Sequence, residues 1–158
     1  MADTPTKSAQ RQDPLPGFCF LVSFTQLKGT VDSYFKSVSG LRSETEVIPV
    51  RAGGANDTTF NLVGATKWSP LVLKQGFTNS SGLLAWREQW MSGKMTRTGG
   101  SIIQLNTALQ PSAQWDFVNG WPSKWEIGEL AADKNELTIE TMEIAHEGLK
   151  YVKLGATQ

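Results

Sequence analysis

The chain has 158 residues, with 15 Lys plus Arg against 15 Asp plus Glu, and one cysteine, Cys19. The balanced charge excludes the basic excess of a dedicated nucleic-acid or anionic-membrane binder. A single cysteine excludes an internal disulfide framework, and the length fits one domain that buries about 70% of its unfolded-chain surface.

Residues 1–16 are rich in Thr, Ser, Gln, Asp and Pro. They are expected to form a flexible arm, and they lack the apolar stretch of a secretory signal. Residues 17–158 are expected to form a single domain. No apolar run reaches the roughly 20 residues that span a bilayer, so no membrane insertion by this chain is expected. The first strand is Phe18 to Thr25. Phe18, Phe20, Val22 and Phe24 share one face and Cys19 and Leu21 the other, which predicts an interior strand.

Two further strands follow, Ser33 to Val38 and Glu44 to Arg51, separated by Ser39-Gly40. Pro49 cannot donate to a ladder, which places it at an edge or a bulge. Residues 52–65 read as a long loop, beyond the common connection length. It is either a flexible excursion or a partner-binding loop; Phe60, Leu62 and Val63 favour a partner, because a purely solvated loop has little use for them. Lys67 to Phe77 reads as another strand. The one helix is expected over 79–92, capped by Asn79, Ser80 or Ser81 and closed by Gly93. Leu83, Trp86, Arg87 and Trp90 fall on one side of it, laying two indoles on the sheet.

Gly99 to Leu109 and Ser112 to Trp125 read as strands, and Glu136 to Gly148 as a long final one. In that last strand Leu137, Ile139 and Thr141 share one parity while Met142, Ile144 and His146 take the other, which predicts a bulge between them. The segment Trp115 to Trp125 alternates aromatic and polar residues on both sides of Asn119-Gly120. Asn-Gly between alternating runs is by itself a hairpin signal. The long final strand, however, needs a partner of similar length. Trp115 to Ile127 supplies one, joined through Ala131 to Asn135. The preferred reading is therefore one long bent strand, bulged at Asn119-Gly120, with Pro122 where no ladder donor is needed; the hairpin is the alternative. The sum is mainly β: an antiparallel barrel or sandwich of about seven or eight strands with one flanking helix.

Chemistry is sparse. His146 is the only histidine and lies far from Cys19 in sequence, so no metal site is expected. No Gly-x-Ser-x-Gly elbow and no phosphate-binding loop occurs. The carboxylate pairs Glu44/Glu46 and Glu140/Glu143 sit on strands and read as solvated faces. Lys67, Lys74, Arg87, Lys94, Arg97 and Lys124 are dispersed. No catalytic residue, cofactor or metal is expected, and the chain is not expected to be an enzyme.

Five separated pieces carry a family resemblance. Asp13-Pro14 precedes Phe18-Cys19-Phe20-Leu21-Val22. Val38-Ser39-Gly40-Leu41 leads into Ser43-Glu44-Thr45-Glu46-Val47. Then come Leu71 to Gly76, Trp115 to Trp125 and Ile139 to Leu149. In this order the chain resembles, over roughly residues 13–150, the tail-tube (inner tube) proteins of contractile phage tails and contractile injection systems. That family is related to the haemolysin-coregulated tube protein of type VI secretion. Gly120 stands where many relatives carry a small residue such as Ala, and glycine is compatible with a bulge there.

The resemblance implies a small β-barrel with a flanking helix, and hexameric rings stacked into a hollow tube. A contracting sheath would drive that tube into a target envelope. The implied partners are the protein itself, the surrounding sheath, baseplate or spike and tube-terminator proteins, and a lumenal cargo of protein effector or DNA. The chain would be made in the bacterial cytoplasm without a signal peptide. Its particle, a phage tail or an injection system, would be cytoplasmic, membrane-anchored or released. The long loop after the third strand would reach a neighbour, which makes Arg51, Asn56, Phe60 and Asn61 the expected subunit contacts. Phe18, Phe20, Trp86, Trp90, Trp115, Trp121 and Trp125 are the expected core. The alternatives are a secreted hexameric ring that carries effectors, and a tube initiator at the baseplate.

Overall fold

A computed structural model describes residues 15, 17, 19–27, 35–51, 53–54, 58–77 and 82–154. Phe18, Asn56, the Asn79 to Ser81 cap and, apart from Leu15, the N-terminal arm lie outside the described residues. The described chain holds nine strands and one helix: β1 (Phe20–Phe24), β2 (Ser37–Ser39), β3 (Ser43–Arg51), β4 (Thr59–Trp68), β5 (Leu71–Gly76), α1 (Gly82–Met91), β6 (Thr98–Leu105), β7 (Pro111–Ile127), β8 (Ile139–Ala145) and β9 (Gly148–Val152).

All pairings are antiparallel. Seven strands run in the order β1-β6-β7-β8-β5-β2, with β9 added beside β7, while β3 and β4 pair only with each other. The large sheet does not close, because β1 and β2 end the path without pairing among the described residues. This is a sandwich rather than a closed barrel.

β7 makes the sandwich possible. Its first half pairs with β6 and β9, and its second half with β8. One strand thus passes from one layer into the other, and Asn119-Gly120 is its bend rather than a hairpin turn. Asn119 takes a left-handed φ of 52°, a conformation Asn adopts more readily than most residues. Three steps from Phe117 to Gly120 oppose two from Thr98 to Gly100, which is the signature of a bulge. A second bulge lies between Pro122 and Lys124, opposite Ile144 and Glu143. There the Ser123 hydroxyl donates to the Glu143 carbonyl at 3.1 Å. A Cβ on Gly120 would sit 2.8 Å from the Phe117 ring and 3.0 Å from Ile144. The bend is packed that tightly.

Val22, Phe24, Leu71, Leu73, Ile102, Phe117, Met142 and Ile144 fill the space between the layers, with Leu83 and Trp86 of α1 laid over them. Phe24 meets Trp86 at 5.9 Å and Phe117 edge-on at 6.1 Å. The Trp86 indole donates to the Thr96 carbonyl at 3.1 Å. Gly93 ends the helix with a φ of 92°. Lys94 and Gly93 return their N–H groups to Gln89 and Trp90, at 3.0 and 3.2 Å.

Several expectations are corrected. Residues 59–65, read as part of a loop, are the first part of β4. Lys67 to Phe77 is split at Ser69-Pro70 between β4 and β5. β1 is an end strand rather than an interior one, its second face half-covered rather than buried. The final strand is two, broken at His146-Glu147, with Glu136 to Thr138 outside them. No bulge separates Thr141 from Met142. Glu140, Met142 and Ile144 alternate inward without interruption, and Leu137 is 86% exposed. A buried carboxylate occupies a position that composition assigns to an apolar residue.

Candidate subunit interface

β3 and β4 form an arm with almost no buried residue. A two-stranded hairpin with both faces in water is marginal by itself, so its cross-strand pairs show where cover is needed. On one face Ile48 opposes Leu62 and Val50 opposes Phe60. These four apolar side chains are exposed, Phe60 at 52% and Leu62 at 54%. Nearer the base the same face carries Glu44, Glu46 and Lys67. The opposite face carries Thr45 with Thr66, Val47 with Val63, Pro49 with Asn61, and Arg51 with Thr59. The Thr45 and Thr66 hydroxyls bond at 2.9 Å, and Val63 is 85% exposed. Pro49 is harmless here, since the outer edges of this ribbon bond to no other strand among the described residues.

The root of the arm is rigid. Gly40 turns the chain from β2 into β3 at φ 88°, and a Cβ there would lie 2.0 Å from the Pro70 carbonyl oxygen. The Ser69 N–H donates to the Arg42 carbonyl at 3.1 Å. His146 is buried, with Nε2 2.9 Å from the Ser69 carbonyl and Nδ1 3.1 Å from that of Gly148. Its ring lies between Trp68 and Phe117. The histidine thus fastens the base of the arm to the junction of β8 and β9, a structural task.

Of the expected contact residues, Phe60 stands on the apolar face and Arg51 and Asn61 on the other. Phe60 and Leu62, expected in a loop, lie in a strand, and their cross-strand partners Ile48 and Val50 are not among the residues expected at the interface. The alternation across Val47 to Arg51 was the available signal. Of the expected core residues, Trp86 is buried, and Phe20, Trp90, Trp115, Trp121 and Trp125 are half-buried.

Two polar clusters hold the bend and the second layer. Beside the bend, the Arg97 guanidinium lies 4.7 Å over the Trp121 ring and pairs with Glu147. The other Glu147 oxygen accepts from the Asn119 amide at 2.9 Å. The Asn119 hydrogen bond, and after it the Arg97 bond, hold the Glu147 carboxyl below its ordinary range. In the interior, Glu140 accepts from Gln75 and from the Trp125 indole, each at 2.7 Å. Arg87 of α1 lies 5.3 Å over the same indole. On the surface, Glu126 chiefly, and then Glu143, hold the Lys124 ammonium charged above its ordinary range.

Among the described residues, no three His, Cys, Asp or Glu side chains gather as metal ligands would. No helix of these residues is long and apolar enough to cross a membrane. The arrangement offers an apolar face for packing, beside charged groups several of which pair with one another.

The family described as T4-like virus tail tube protein gp19 matches residues 16–150. No curated protein matches the chain. Among solved structures, a chain of the six-fold symmetrised baseplate of the anti-feeding prophage is 26% identical. It covers 90% of this chain and 98% of its own, with a TM-score of 0.83. A chain of the extended sheath–tube complex of the extracellular contractile injection system PVC is 21% identical, over 89% and 93%, at 0.78. Hcp1 from Flavobacterium johnsoniae is 18% identical, over 83% and 94%, at 0.52. The last two are likenesses of fold.

Proposed function

Because the chain belongs to the T4-like virus tail tube protein family, we propose that it forms hexameric rings which stack into the hollow inner tube of a contractile injection particle or phage tail. A contracting sheath would drive this tube into a target envelope, and cargo would pass through its lumen. The structural role and the place in a phage tail or injection particle come with the family. The ring order, the sheath, baseplate and terminator partners, the cargo and the lack of catalysis are the proposal.

One observation carries it. A hairpin whose Ile48, Val50, Phe60 and Leu62 stand in water has no cover among the described residues, and an exposed apolar patch of this kind marks a protein interface. In this reading the hairpin is the element that neighbouring copies cover, and Arg51 and Asn61 form its polar back. Zero net charge supports the same reading, since many copies can pack closely without self-repulsion. Top-to-bottom stacking is a heterologous contact, the kind that builds open filaments.

Electron microscopy of the purified protein tests this. Long tubes or stacked rings support a tube subunit. Isolated hexamers at every concentration support an effector-carrying ring instead. A protein that stays monomeric alone and with its neighbouring gene products refutes both.

A further inference from the structure

The large sheet ends at β1 on one side and β2 on the other, and a groove of about 220 Å³ lies between those ends. Phe20, Val38, Ile102 and Trp115 form an apolar floor, Leu41 lies at its side, and Lys36 brings a positive charge to it. Both flanking strands, β1 and β2, pair on one side only among the described residues, and each contributes side chains to the groove. The apolar face of the β3–β4 hairpin is the counterpart: Phe60 and Leu62 beside Ile48 and Val50, with the Glu46 carboxylate on the same face, while Glu44 there pairs with Arg42 and stands across from Lys67. An aromatic anchor entering an apolar pocket, with a charge pair at the rim, is the anatomy of an interface hot spot.

We propose that this groove in one copy receives the hairpin of another, the Phe60 ring seating against Phe20, Val38 and Trp115 while Glu46 faces Lys36. The inference rests on the tube reading and adds to it the receiving surface. The two surfaces are different parts of the chain, so each copy presents both and the contact repeats without closing on itself. A copy cannot satisfy its own groove in this way. Leu41 precedes Val50, the cross-strand neighbour of Phe60, by about 30 Å of strand.

The test uses full-length protein carrying Cys19→Ser, with Phe60→Cys in one preparation and Leu41→Cys in another, each added as a minor fraction to an excess of chains that keep Phe60 and Leu41, so that tubes form on intact hairpins and grooves. A disulfide needs Cα atoms roughly 4.4–6.8 Å apart. On mixing, assembly and oxidation, a Phe60–Leu41 cross-link between two copies is expected, and it should be absent from either preparation alone. Tubes that form from the mixture without that bond overturn the inference and leave the tube reading standing. So does a groove cysteine shielded from labelling in tubes while the Phe60→Cys thiol stays reactive, because another segment then fills the groove. If the unmodified chain gives neither rings nor tubes, both readings fall. A charge exchange guards against variants that misfold: Lys36→Glu is expected to lower tube yield about tenfold, and adding Glu46→Lys to restore it. Failure of the double variant to recover, with both variants folded, overturns the pairing.

Discussion

Trp121 and Trp125 lie four residues apart in β7 and face opposite sides of the sheet. Trp121 stands across from Ala145 on the outer face under Arg97, and Trp125 stands across from Met142 on the inner face beside Glu140. In a regular strand residues of equal parity share a face. The extra residue near Ser123 reverses the parity between them, as the extra residue at Asn119-Gly120 had already reversed it after Phe117. Two bulges in one strand therefore sort the aromatics: Trp115 and Phe117 inward, Trp121 outward, Trp125 inward again.

Trp125→Phe keeps the ring and removes one donor from Glu140. With one of the hydrogen bonds to a buried carboxyl group removed, a loss of about 1–3 kcal/mol is expected. Chemical denaturation of the unassembled protein measures it. Adding Glu140→Gln should give a smaller loss than the sum of the two single changes, since both alter the same hydrogen bond.

Gly40→Ala places a methyl group against the Pro70 carbonyl and forces a side chain into left-handed backbone. The strain alone should cost about 1–3 kcal/mol, and the clash will displace the root of the hairpin. A lowered melting temperature together with lost assembly is expected. Unchanged melting would show that the chain takes a different path between β2 and β3.

The Glu147 carboxyl titrates below its ordinary value because Asn119 and Arg97 bond its charged form. A carboxyl that is depressed on folding stabilises the fold above its unfolded pKa, and the benefit fades as pH falls through the folded value. Glu147→Gln should therefore be less stable than the native protein at neutral pH. The gap should close only as the pH falls from about 4.5 downward. Melting curves across that range check it, and a gap independent of pH would remove the bend cluster from the account.

Phe60→Asp puts a charge on the apolar hairpin face without touching the core. Surface changes of this kind stay within about 0.5 kcal/mol in stability, so folding should be preserved while assembly is lost. Circular dichroism and light scattering on the same sample separate the two effects. Phe117→Ala is the contrasting control, costing about 3–5 kcal/mol through a cavity in the core.

Much of the fold was legible from local pattern. The bent β7 follows from the need of a long final segment for a partner, and the closing of α1 from Gly93. What stayed hidden shares one cause: tertiary context overrode composition. Glu140 reads as a surface residue, yet Gln75 and Trp125 bond it inside, so the sequence pattern groups Leu137, Ile139 and Thr141 on one parity and needs a bulge before Met142 that the strand does not have. Residues 59–65 look like a loop because Asn61, Gly64 and Ala65 are weak strand formers. They are held in a strand by pairing with β3, a non-local contact that no window of sequence contains. Phe60 stands out in the sequence by its misplaced hydrophobicity, whereas its cross-strand companions Ile48 and Val50 lie in a strand where apolar residues look ordinary.

The most direct measurement is a cryo-electron microscopy reconstruction of the assembled protein, read at the β3–β4 hairpin. Six-fold rings in a stacked tube are expected, with Ile48, Val50, Phe60 and Leu62 of each copy covered by another copy. A tube in which those four side chains remain in solvent, or a purified protein that forms no ring at all, would contradict that expectation.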